Sequence, residues 1–325
     1  MENYALYAPR LVNKEEKFTP GHRACIGCGE ALSIRQAFKA LDRNVIVINA
    51  TGCAEIFASQ LPYSNWELPW IHTLFENTAA VASGVEAAYK AMRRKGGNLP
   101  ENTKVVAMAG DGGTSDIGLQ ALSGAFERGH NFTYICFDNE AYQNTGNQRS
   151  SATPLGSATT TSPIGNKSIG QFSWKKNMPE IAVAHNIPYV ATATHGYPFD
   201  LMAKVRKAVD TPGPAYVHIL SVCPTGWGSA TDTINRQSRL AVQTGVFPLY
   251  EVENGVYTMS IDLPKLRPIA DYLKIQRRFR HLSDDVIAQI QKRVKLEYQK
   301  LLEKVNVTKR TKSKSKTGSR KAPAR

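Results

Sequence analysis

The chain has 325 residues, 42% hydrophobic and 21% charged, which reads as an ordinary globular protein able to bury a large core. No apolar run reaches membrane-spanning length, and the opening MENYALYAPRLVNKEE lacks the apolar core of a signal peptide, so a cytoplasmic protein is expected. The net charge of +14 is concentrated in the last twenty residues, which hold eight Lys/Arg and no acid; without them the balance is +6. That distribution argues against nucleic-acid binding as the main activity, and the nearly apolar-free tail is expected to be disordered.

In chain order, residues 1–20 read as an irregular arm, followed by a Cys/Gly-rich loop over 21–30 and the helical pattern ALSIRQAFKAL. NVIVINA (44–50) is a β-rich run stopped by the turn TGC (51–53). HTLFENTAAVASGVEAAYKAMRRKG has helical spacing and ends on Lys/Arg followed by Gly96 and Gly97. KVVAMAG reads as a buried strand, DIGLQALSGAFERG as a helix and NFTYICFDN as the next strand. The Gly/Ser/Thr/Asn stretch 143–171 is too long for a simple connector and reads as a functional loop. Helix MPEIAVAHN with strand YVATAT, then helix FDLMAKVRKAVD with strand AYVHIL, complete the alternation.

Continuously apolar strands alternating with helices predict an α/β fold with a mostly parallel sheet covered on both faces. Ligands of such sheets bind at the carboxyl ends of the strands, where Cys53, Asp111, Asn139 and Cys223 fall. Beyond Cys223 the chain turns polar and Pro-punctuated. It finishes in a predicted helix, SDDVIAQIQKRVKLEYQKLLEKV, capped by Ser283 with acids in its first turn. The expected divisions are an arm (1–20), a cofactor-binding α/β domain (21–235), a C-terminal extension ending in a helix (236–305) and the basic tail (306–325).

AGDGG (109–113) lies between a strand and a helix, where glycines and a helix N-terminus suit a phosphate. Asp111 would repel a bare phosphate, so it is read as a Mg²⁺ ligand that shares the ion with phosphate oxygens. Asn139, at the end of the next strand, offers a second hard oxygen, and the Ala141 carbonyl a third. The competing reading is a pair of tight turns at strand ends.

Five cysteines without a secretion signal do not suggest a disulfide framework. Cys136, inside FTYICF, reads as a buried strand residue. Cys25, Cys28, Cys53 and Cys223 sit beside glycine or proline in turn-like sequence, which suits metal ligands. Four thiolates fit tetrahedral zinc or an iron–sulfur cube equally well, and ligand count does not separate them. A thioredoxin-like pair is disfavoured because no strand precedes CIGC.

CIGCGE, ATGC, HTLFENTAAVASG, AGDGG, DNEAYQNTGNQRSSATP and CPTGW occur in the order seen in the β subunits of 2-oxoacid:ferredoxin oxidoreductases. The chain resembles that family over roughly residues 20–230. The resemblance implies a thiamine-diphosphate-binding fold of the PP type. It assigns Asp111, Asn139 and the Ala141 carbonyl to Mg²⁺, with Gly110, Gly112 and Gly113 near the diphosphate. It implies that Cys25, Cys28, Cys53 and Cys223 ligate a [4Fe–4S] cluster, and it gives Cys136 no role. Glu30, Thr51 and Gly52 are expected to contact the cofactors, with helix capping or turn stabilisation the competing role for Glu30 and Thr51. Asn144 and Thr145 are expected near the reacting end of thiamine, bonding the substrate carboxylate or carbonyl. His72 and Glu76 read as pocket or helix-end residues, and His22 as a cluster neighbour or a structural histidine.

The family's reaction is the CoA-dependent oxidative decarboxylation of a 2-oxoacid or its reverse, with electrons leaving to ferredoxin; pyruvate is the favoured substrate, and 2-oxoisovalerate, oxalate or 2-oxoglutarate the alternatives. The resemblance implies an obligate complex. An α subunit supplies the glutamate that activates thiamine, and a γ or δ subunit or fused equivalent carries electrons onward. Two other readings are a non-oxidative thiamine-dependent decarboxylase with structural zinc, and a basic nucleic-acid-binding protein with a zinc site.

Overall fold

The computed structural model describes residues 12–60, 62–100 and 102–318, with side chains described through residue 309. Residues 1–11 of the expected arm and 319–325 of the expected tail therefore lie outside the described residues. The elements follow as α1 (Gly29–Lys39), β1 (Val45–Ala50), α2 (Cys53–Ala58), β2 (Trp70–Thr73), α3 (Thr78–Arg94), β3 (Lys104–Gly110), α4 (Asp111–Ser115), α5 (Leu119–Glu127) and β4 (Thr133–Asp138). Within the long segment after β4 the only regular elements are the two arms of a short hairpin, β5 (Ile164–Gly165) and β6 (Ser168–Ile169). Next come α6 (Met178–Ala184), β7 (Tyr189–Thr194), α7 (Pro198–Asp210), β8 (Ala215–Leu220) and α8 (Pro224–Trp227). The remaining elements are α9 (Ile234–Gln243), β9 (Tyr250–Glu253), β10 (Val256–Met259), α10 (Ala270–Leu273) and α11 (Asp284–Gly318).

One eight-stranded sheet, ordered β10-β9-β7-β8-β4-β3-β1-β2, organises the chain. From β2 to β7 every pairing is parallel, whereas β9 and β10 add an antiparallel edge. Alternation along each strand feeds two cores. Val47, Val106 and Ile135 pack with α1, α2 and α7 on one face, while Ile48, Ala107 and Tyr134 pack with α3, α5, α6 and α11 on the other. Cys136 belongs to the second core and is fully buried, as its place in an apolar strand predicts. The expected mostly parallel sheet, covered on both faces, is therefore present. Among the described residues no helix is long and apolar enough to cross a membrane.

Several elements were not legible beforehand. β2 is four residues long and carries no alternation of its own, with burial imposed by its pairing to β1. β9 and β10 form a hairpin across Asn254 and Gly255, both with positive φ, as a tight two-residue turn demands. They come from the segment read as a C-terminal extension, yet they join the main sheet, and α9 straddles the expected division at 235/236. Ser283 does cap the last helix, its hydroxyl accepting from the Val286 N–H at 3.4 Å. The helix backbone then continues to Gly318, into the stretch expected to be disordered. The helix formers Lys and Arg, recurring through that stretch, favour continuation once a helix is nucleated.

The connections place a switch point in the sheet. After β1 the chain moves outward to β2, then returns to the other side of β1 to form β3. Loops leaving β1 and β3 diverge there and open a crevice at their carboxyl ends. Phe38 of α1 is fully buried against this sheet, whereas Met92 of α3 is 53% exposed. Phe38→Ala is expected to cost about 3–5 kcal/mol in urea denaturation, and Met92→Ala less than about 0.5 kcal/mol.

Candidate cofactor and thiol site

A cavity occupies the switch-point crevice. Its lining includes Glu30, Thr51, Gly52, Gly110, Asp111, Gly112, Gly113, Asn139, Ala141, Asn144 and Thr145, all singled out from sequence. Cys53, Phe75, Tyr142 and Gln143 complete it. Glu76 is not among the lining residues and precedes the N-cap of α3. His72 sits just behind the wall, its Nε2 2.8 Å from the Thr51 hydroxyl. His22 accepts the Ala24 N–H at 3.4 Å and stacks on Phe18 at 5.2 Å, a packing role beside Cys25.

Strand β3 runs into α4 without a loop, so Asp111 opens a helix at the strand's very end. Its carboxylate is 1% exposed and accepts the Ser150 hydroxyl. Burial, reinforced by the nearby Asp138 charge, raises its pKa well above the ordinary value. Asp138 is buried too, but there the burial penalty is outweighed by Lys175 and His218, which hold its carboxyl well below the usual range. Asp111 forms no ion pair among the described residues, and the charge of Lys175 offsets its burial only in part.

Asn139 points the same way. Its Nδ2 donates to Glu30 Oε2 at 3.0 Å, and its backbone carbonyl accepts from Gln143 and from the Trp227 indole N–H. Its Oδ1 is buried and has no hydrogen-bond partner. A buried acceptor left unmade is costly, and a hard cation satisfies it. Gly112 explains its own identity, because a Cβ there would meet the Tyr142 ring at 2.1 Å. The tyrosine hydroxyl donates to the Gly112 carbonyl at 3.1 Å, pinning the DNEAYQ segment over the GDG turn.

The four cysteines arrive on three segments. Cys28 caps α1 and accepts the Ala31 N–H at 3.4 Å, Cys53 opens α2, and Cys223 caps α8 and accepts the Gly226 N–H at 3.3 Å. Cys25 lies exposed in the preceding loop. Burial pushes the Cys28 thiol up to about 12 and Cys223 to about 11, and Glu30 adds to both. Cys53 is raised further by burial and Glu30, and it feels the charges of Cys223, Cys28 and Cys25. Buried thiolates that burden one another beside a carboxylate become stable only around a positive centre. Among the described residues no group of three or more His, Cys, Asp or Glu side chains forms a ready-made ion site.

Gly29 holds this convergence together. A Cβ there would meet Val222 O at 2.5 Å and His195 Nε2 at 2.8 Å, so only glycine lets α1 approach the end of β8. Sequence reading missed Ser150, Asp138, Lys175 and Trp227 as support for this site, because their partners are distant in the chain. Asp138, Ser150 and Trp227 stood in motifs singled out beforehand without a role of their own, and Lys175 stood in none.

Burial lifts Glu30 from 4.5 to about 7, opposed by its bond from Asn139. Between those values the unfolded chain has released this proton while the folded chain keeps it, so folding stability falls as pH rises through that window. In the metal-free chain, Glu30→Gln is expected to remove about 3 kcal/mol of the stability difference between pH 4.5 and pH 7.5, read from urea midpoints.

Residues 50–219 match the thiamine pyrophosphate enzyme C-terminal TPP-binding domain. The chain is 52% identical over 280 residues to pyruvate synthase subunit PorB of Methanocaldococcus jannaschii, covering 86% of this chain and 94% of that one. It is 47% identical over 289 residues to ketoisovalerate oxidoreductase subunit VorB of Pyrococcus abyssi, covering 88% and 93%. Among solved structures, the 2-oxoglutarate:ferredoxin oxidoreductase of Magnetococcus marinus, solved with 2-oxoglutarate, coenzyme A and succinyl-CoA, superposes with a TM-score of 0.56. That match has 26% identity and covers 70% of this chain and 72% of the other. The chain belongs to the thiamine-pyrophosphate-dependent 2-oxoacid oxidoreductases, in the β-subunit family that contains PorB.

Proposed function

We propose that this chain is the catalytic β subunit of a pyruvate:ferredoxin oxidoreductase that binds Mg²⁺–thiamine diphosphate beside a [4Fe–4S] cluster. The observation that carries the metal reading is the pair Asp111 and Asn139. One is a buried carboxylate with no ion pair among the described residues, and the other presents a buried oxygen without a hydrogen-bond partner. Gly110, Gly112 and Gly113 allow a diphosphate to approach the N-terminus of α4, and the Ala141 carbonyl supplies a further oxygen. Cys25, Cys28, Cys53 and Cys223 would hold the cluster, whose positive irons make thiolates stable where burial alone forbids them.

When bound, thiamine diphosphate would supply an electron sink for decarboxylation, and a cluster on the cysteines would supply a one-electron acceptor. The chain's own part is to exclude water, orient the cofactor and keep Glu30 within a bond of Asn139. Asn144 and Thr145, at the more exposed end of the cavity, are suited to hydrogen-bond the 2-oxoacid. Coenzyme A and ferredoxin complete the reaction, and an α subunit with γ and δ subunits or their fused equivalents completes the complex. Pyruvate is the proposed substrate because four PorB relatives are 52% identical to this chain, whereas the PorB and VorB subunits of Pyrococcus, at 46–47%, do not separate pyruvate from a branched-chain 2-oxoacid.

Three measurements test this reading. Anaerobic analysis of the chain within its complex should give about four iron and four sulfide from this subunit, with both lost in Cys223→Ser. Stoichiometric zinc without sulfide would instead support a non-oxidative decarboxylase. Asp111→Ala should lower the affinity for thiamine diphosphate at least about tenfold and abolish its Mg²⁺ dependence, read by calorimetry. For the substrate, kcat/KM with pyruvate should exceed that with 2-oxoisovalerate and 2-oxoglutarate; the reverse order would reassign it.

A further inference from the structure

Glu140 stands between the two residues assigned to the metal, Asn139 and Ala141, and its φ of 67° lies where side chains other than glycine are disfavoured. Nothing local explains a glutamate there. Its carboxylate is 2% exposed and is held at both oxygens: Lys175 Nζ donates to Oε1 at 3.0 Å and the Arg278 guanidinium donates to Oε2. Its carbonyl accepts the Thr153 hydroxyl at 2.7 Å, and its N–H donates to Asp138 Oδ1 at 2.9 Å. Every polar group of Glu140 is therefore engaged, and the unusual backbone is over-determined.

Arg278 comes from the 3₁₀ turn Arg277–Phe279, well beyond the matched family domain. Its guanidinium lies 3.9 Å from the centre of the Trp227 ring, and it is 5% exposed. The indole N–H of Trp227 in turn donates to the Asn139 carbonyl at 2.9 Å. The Arg278 carbonyl accepts the Ala158 N–H at 3.0 Å, so the same turn also ties down the long loop. One arginine thus fixes the residue after Asn139 through its charge and Asn139 itself through the tryptophan.

We propose that Arg278 and Trp227 are positioning residues. Together they hold the Asn139–Glu140–Ala141 backbone in the one conformation that aims Asn139 Oδ1 and the Ala141 carbonyl at a shared cation. The C-terminal extension is then part of the metal site, although none of its side chains lines the cavity. This inference rests on the metal assignment above. Its sign is specific: loosening the backbone should weaken metal binding while leaving the chemistry of the loaded site intact.

The test uses Arg278→Lys, which keeps the charge but loses the planar fork and the stacking, and Trp227→Phe, which keeps an aromatic ring for stacking but loses the N–H. Each full-length variant, in its assembled complex, is titrated with Mg²⁺ at fixed thiamine diphosphate by calorimetry, and KM for Mg²⁺ and kcat are measured. Both variants should raise the Mg²⁺ dissociation constant at least tenfold and KM in parallel, with kcat at saturating Mg²⁺ within twofold of the parent. Arg267→Lys, in the exposed pair with Asp271 on the same extension, should change neither. Folded variants with parental Mg²⁺ affinity would overturn the proposal, and so would a kcat that stays depressed at saturation. Should Arg278→Lys fail to fold, Trp227→Phe alone decides, since it disturbs no ion pair. A parent complex that binds no Mg²⁺–thiamine diphosphate would overturn the metal assignment itself, and this inference with it.

Discussion

Two carboxylates, Asp111 and Asp138, end up buried within electrostatic reach of each other, at the carboxyl ends of adjacent parallel strands. The rest of the site follows from how each is compensated. Asp138 receives Lys175 and His218, and His218 continues through its other nitrogen to the Tyr216 hydroxyl at 2.7 Å. Asp111 receives one hydroxyl and forms no ion pair among the described residues, feeling Lys175 only at a distance. A buried carboxylate so treated takes up a proton or a metal. The protein surrounds it with a free amide oxygen, a glycine turn and a helix N-terminus, a set that favours the metal together with an anion.

The same economy recurs a few ångströms of chain away. Glu30 is buried between the cysteine segment and Asn139, where it raises the Cys28, Cys53 and Cys223 thiols and is itself raised by burial. One side chain therefore couples the diphosphate side of the cavity to the thiol side. Gly29, immediately before it, permits the close approach of α1 to β8 that brings Cys28 and Cys223 into one neighbourhood. CxxCGE is in this sense a packing motif as much as a ligand motif.

Much of this was legible in the sequence because it is local. Strand–Asp111–helix, strand–Asn139 and the glycine-flanked cysteines each read out within a dozen residues, and the parallel sheet follows from apolar strands alternating with amphipathic helices. What escaped was long-range compensation. Lys175 and Arg278 look like surface cations until the fold delivers them to Glu140, and Ser150 looks like loop filler until it reaches Asp111. The edge hairpin β9–β10 was missed for a related reason: its strands are four residues each, and only pairing with β7 makes them part of the sheet. The final helix shows the opposite error. A basic, apolar-poor segment cannot build a core, but it can prolong a helix already nucleated and anchored by Tyr298, Leu301 and Val305.

In the proposed function, a 2-oxoacid bound at the Asp111–Asn139 cavity delivers electrons to the neighbouring thiol site. Its most direct test is optical and electron paramagnetic resonance spectroscopy of the anaerobic complex, before and after addition of pyruvate and coenzyme A without ferredoxin. The expected result is a cluster absorbance that bleaches on adding pyruvate and a reduced-cluster signal that appears with it, both absent in Cys53→Ser. A colourless complex, or a cluster whose oxidation state ignores every 2-oxoacid while CO₂ is still released, would contradict it.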